Sequence, residues 1–83
     1  MRLNGSALVH NAESQRLDDL IARVERIVRC RTGGRVQDLR VDADDSSVVL
    51  SGVCSTYYAK QLATHAALVE LSDQTLTNDI EVV

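Results

Sequence analysis

The sequence predicts an α+β domain of order α-β-β-α-β, a three-stranded mixed sheet packed on two helices. Three observations carry that prediction. Apolar residues recur at helical spacing over residues 13–31 and again over 55–70, and apolar and polar residues alternate over 37–43 and 76–82. Between the alternating segments, a valine-rich run at 48–53 follows directly on a cluster of turn formers. At 83 residues the chain has room for one domain and one core, so every regular element has to contribute to it.

Residues 1–12 show no sustained period and contain Gly5, Ser6 and Asn11, which reads as a flexible N-terminal leader ahead of a single domain at 13–83. In the first helix Leu17, Leu20, Ile21, Val24, Ile27 and Val28 recur at steps of three and four, the mark of an amphipathic helix. Asp18 and Asp19 suit its early turns and Arg29 and Arg31 its last, and Thr32-Gly33-Gly34 supplies a glycine stop.

The first strand, 37–43, has Leu39, Val41 and Ala43 on its buried side against Asp38, Arg40 and Asp42. Asp44-Asp45-Ser46-Ser47 then forms a hairpin turn into the second strand. Val48 and Leu50 face the core, which leaves Val49 and Val53 on the other face beside Arg40 and Ser51. The stretch 48–55 is the pivot of the chain. Its Gly52 allows a bend or a close approach, and Ser55 is placed to cap the next helix. That helix is expected to bury Tyr58, Ala59, Leu62, Ala63, Ala66 and Val69, turning Tyr57, Gln61, Thr64 and Leu68 outward. After Leu71-Ser72-Asp73, the last strand alternates Leu76, Ile80 and Val82 with Thr77, Asp79 and Glu81. Asn78 falls on its buried parity, where an amide is expected to tie down a backbone group.

Charge is unevenly distributed. Residues 16–35 hold six arginines against Asp18, Asp19 and Glu25, whereas residues 36–83 hold Arg40 and Lys60 against eight acids. At 100° per residue Arg16, Arg23, Arg26 and Arg29 share the face opposite the apolar stripe of the first helix, a solvated face or an anion-binding stripe. With an acidic remainder and no Phe or Trp to stack on bases, nucleic acid is not an expected partner.

Cys30 and Cys54 have neither CxxC nor any other metal-ligand spacing and read as free thiols. His65 has no companion nucleophile or carboxylate. Gly33-Gly34 follows a helix instead of leading a strand into one, so it is not a phosphate loop. The sequence therefore suggests no enzyme, no cofactor and no metal site. It has no apolar stretch long enough to span a bilayer and no signal-peptide pattern, so the expected location is the cytoplasm, with or without membrane association.

The element order resembles that of the BON domain family. The motifs that carry the resemblance are Leu39-x-Val41, Val48-x-Leu50-Ser51-Gly52, the helix with Lys60, Ala63 and Ala66, and Leu76-x-Asn78-x-Ile80-x-Val82. It covers about residues 17–83. Where the family usually has Gly-Val between the second helix and the last strand, this chain has Leu71-Ser72-Asp73 with about one extra residue. The usual Asp-Gly before the second strand is Asp45-Ser46. BON domains are small bacterial modules of osmotic-shock, secretin and channel-associated proteins, so the resemblance implies a non-enzymatic module that binds an anionic phospholipid surface. Arg16, Arg23, Arg26 and Arg29 are then the contact residues. The alternative is a protein-interaction or self-association module, whose contacts would fall on Val49, Val53, Tyr57 and Leu68, where apolar side chains point outward.

Overall fold

The computed structural model describes the backbone of residues 2–83 and the side chains of residues 15–83. It is an α+β fold of five elements: α1 (Arg2–Thr32), β1 (Gln37–Ala43), β2 (Ser47–Cys54), α2 (Tyr57–Glu70) and β3 (Thr75–Val82). The expected leader falls on residues whose side chains lie outside the described set; the backbone is helical from Arg2.

The sheet has the order β1-β2-β3, with β1 antiparallel and β3 parallel to the central β2. The hairpin makes β1 and β2 neighbours, and a crossover through α2 is what lets β3 run parallel on the other side. Both helices cover the same face. Leu39, Val41, Val48, Leu50 and Ile80 from that face meet Leu20, Val24 and Val28 of α1 and Ala59, Ala63, Ala66 and Ala67 of α2 in one buried cluster. Ile21, Ile27, Leu76 and Val82 pack at its margin.

α1 ends at its paired glycines. Gly33 and Gly34 take φ of 61° and 76°, and Gly34 N–H donates to the Arg29 carbonyl at 3.2 Å, closing the orphan end of the helix. Just before that stop, buried Thr32 satisfies its hydroxyl by donating to the Val28 carbonyl at 2.7 Å.

β1 carries an irregularity between Gln37 and Arg40, with Asp38 at φ 55°. The bulge brings β1 against Gly52, whose own φ is 152°. A Cβ there would lie 2.9 Å from the Gln37 carbonyl oxygen and 2.9 Å from Cγ1 of Val36. The glycine is needed because neighbouring strand backbone and Val36 approach it, not because a helix packs there.

Two expectations need correction. The N-cap of α2 is Thr56, not Ser55: Thr56 is extended (φ −140°, ψ 149°) and its hydroxyl accepts from Ala59 N–H at 3.1 Å. Since the helix starts at Tyr57, Ser55 lies one residue too early to reach the first-turn amides, and it is exposed. α2 is also rotated from the expected setting. Tyr58 and Val69 are both 63% exposed and Ala67 is fully buried, while Thr64, expected to point outward, is half-buried against β3. Four small residues in the contact stripe let α2 lie close to the sheet and to α1, closer than Tyr58 would allow.

Candidate functional site

α1 and α2 lie side by side, joined on the surface by Arg23 Nε, 3.1 Å from Oε1 of Glu70. This contact pairs a mid-helix residue of α1 with the last residue of α2, and Arg35 beyond α1 shares a hollow with Ser55 ahead of α2, so the helices run antiparallel. The domain therefore has two ends of different chemistry.

At one end, α1, the end of α2, the hairpin turn and the α2–β3 connection enclose an open cleft of about 470 Å³. Arg16 and Arg23 line it, but so do Asp19, Asp45 and Glu70, so the carboxylates offset the arginines there. At the other end α1 finishes and α2 begins. Arg35 and Ser55 share a small hollow of about 140 Å³, which brings the segment after α1 next to the start of α2. Arg29 and Arg31 in the last turn of α1 and Arg35 just beyond it are exposed, as are Tyr57 (72% exposed) and Tyr58 in the first turn of α2.

The four arginines singled out by helical spacing are thus not equivalent. Arg23 is bound to Glu70, and Arg29 lies 3.5 Å from Glu25 one turn earlier. Among the described residues neither Arg16 nor Arg26 has a carboxylate within ion-pair distance. Helical periodicity sets Arg31 off the stripe and leaves Arg35 beyond the helix, and it is the fold that brings Arg35 beside the residues that precede α2.

The expected partner contacts separate into two regions. Tyr57 and Leu68 (49% exposed) lie on the outer side of α2. Val49 and Val53 are half-buried on the face of the sheet that, among the described residues, no helix covers. Asn78 is held by Nδ2 donating to the Lys60 carbonyl at 3.0 Å and to the Thr64 hydroxyl at 2.8 Å, with Oδ1 accepting from Ile80 N–H at 3.0 Å.

Cys30 is exposed; Cys54 is buried, with Sγ 3.2 Å from the Thr56 carbonyl oxygen. Among the described residues no group of three His, Cys, Asp or Glu side chains is arranged to hold a metal ion, and no helix is long and apolar enough to cross a membrane. Compared with family models, curated proteins and solved structures, the chain matches none.

Proposed function

We propose that the protein is a non-enzymatic binding module that associates with anionic phospholipid surfaces through the end of the domain where α1 finishes and α2 begins. The observation that supports this reading is that Arg29, Arg31 and Arg35 are exposed at the close of α1, where Arg35 shares a hollow with Ser55, and that Tyr57 and Tyr58 are exposed in the first turn of α2. Guanidinium groups bind phosphate with paired hydrogen bonds. A tyrosine ring suits the headgroup layer, where its body is apolar and its hydroxyl remains wet. The bare sheet face carries Asp42, Asp79 and Glu81 and would be repelled by the same surface, so the contact is made from the helical side.

Co-sedimentation with phosphatidylcholine vesicles, with and without phosphatidylglycerol, tests the reading. Each basic residue near an anionic surface contributes about 1 kcal/mol, so Arg31→Gln with Arg35→Gln weakens binding by roughly tenfold or more, and added salt has the same effect. Arg16→Gln with Arg23→Gln changes it less, because those residues lie among carboxylates. No sedimentation with the anionic vesicles, or an equal loss from the two pairs, overturns the reading.

A further inference from the structure

The uncovered face of the sheet has a regular pattern. Strand register sets Asp42 beside Val49, Asp79 beside Ser51 and Glu81 beside Val53. The central strand therefore forms a spine with Val49 and Val53 half-buried, and exposed acids border it from β1 on one side and β3 on the other. Arg40, opposite Ser51, is the one basic residue in these rows. Near one end of the spine, Asp42 and Val49 line a hollow of about 130 Å³, of a size to take part of an aliphatic side chain.

From this pattern we infer that the bare sheet face docks a basic amphipathic helix of a partner protein, lying along β2 with its apolar side on Val49 and Val53. Four residues along an extended strand span ~13 Å, close to the ~11 Å rise of two helical turns, so apolar side chains two turns apart reach both valines. Lysines or arginines flanking the apolar stripe meet Asp42, Asp79 and Glu81. Charge decides against a second copy packed face to face, because Asp42, Asp79 and Glu81 of each copy outnumber its single Arg40. Val53 also borders the hollow that holds Arg35, so the two surfaces adjoin there, but the inference rests on the valines and acids of the sheet and does not depend on membrane binding.

The test is a ¹⁵N-edited NMR titration of the full chain with two synthetic peptides of the same leucine and lysine composition, one with its leucines on a single helical face and one scrambled. The amphipathic peptide is expected to shift the amides of Val49, Ser51 and Val53 and to bind at least tenfold more tightly than the scrambled one. Asp42→Asn, Asp79→Asn and Glu81→Gln combined should weaken it at least tenfold, while Asp18→Asn with Asp73→Asn leaves it unchanged; an unaltered far-ultraviolet spectrum confirms folding. Val49→Thr, conservative for a strand, should weaken the amphipathic peptide and leave the scrambled one unaffected. Equal binding of the two peptides, shifts centred on Tyr57 and Leu68, or indifference to the three neutralisations overturns the inference. So does concentration-dependent self-association through this face without peptide, which would make a second copy its occupant.

Discussion

Within β3, Oδ1 of Asn78 accepts a hydrogen bond from the backbone N–H of Ile80 at 3.0 Å, so a side chain occupies an amide on the open edge of the sheet. Thr75 N–H donates to Ser46 and Val83 N–H to Cys54, which turns the odd-numbered amides of β3 toward the β2 side and the even-numbered ones, Ile80 among them, toward the edge. The amide of Asn78 reaches this position because α2 holds it through Lys60 and Thr64. An edge capped at its centre is a poor template for another strand.

Replacing Asn78 by Val should therefore do two things. Loss of these hydrogen bonds lowers stability by about 1–2 kcal/mol in chemical denaturation. Opening the edge also favours antiparallel pairing of two copies. Centred on residue 78, that pairing sets Leu76 against Ile80 and Thr77 against Asp79, so that no acid faces an acid. Analytical ultracentrifugation should show larger species for Asn78→Val than for the parent at equal concentration; identical profiles would refute the edge-capping role.

Gly52→Ala should already destabilise the fold, because even one methyl group meets the Gln37 carbonyl and Val36 at a φ that side chains rarely adopt. We expect a loss of about 1–3 kcal/mol, larger for Gly52→Val. A melting temperature equal to the parent's in both variants would show that β1 yields without cost.

The hairpin turn makes a pH prediction. Oδ1 of Asp44 accepts from the amides of Ser46 and Ser47 at 2.8 and 2.9 Å and from their hydroxyls at 3.2 and 3.3 Å. The Ser46 amide is the first cause, and the Ser47 amide the next, holding this carboxyl below its ordinary 3.8. Because folding lowers the pKa, the stabilisation is complete above that ordinary value and is lost as pH falls through the lower folded one. Asp44→Asn keeps an acceptor oxygen but does not ionise. Its deficit in melting temperature relative to the parent should be present near neutrality and shrink in acid; a constant difference across the acid range would exclude the linkage.

At the start of α2, Thr56→Ala should cost about 1 kcal/mol through the loss of the cap, whereas Ser55→Ala should be nearly silent. Denaturation midpoints of the two variants distinguish the positions directly, and equal midpoints would deny Thr56 its role.

Local pattern located the five elements of this protein, though not the extension of α1 back to Arg2. β1 was legible at its observed bounds because Leu39 and Val41 alternate with charged neighbours, and the stripe from Leu20 to Val28 announced α1 because helical period and burial coincide there. Tertiary structure decided the rotation of α2 and the grouping of the candidate binding residues. In α2 apolar residues occur on nearly every side, so period does not choose between a face led by Tyr58, Leu62 and Val69 and one led by Ala59, Ala63, Ala66 and Ala67. Transfer energy favours the larger side chains, but the narrow space beside α1 and over β3 admits only the small ones. The end of α1 and the start of α2 likewise come near each other only when β2 returns the chain to that end of the domain. That proximity spans more than twenty residues of chain, and no local periodicity encodes it.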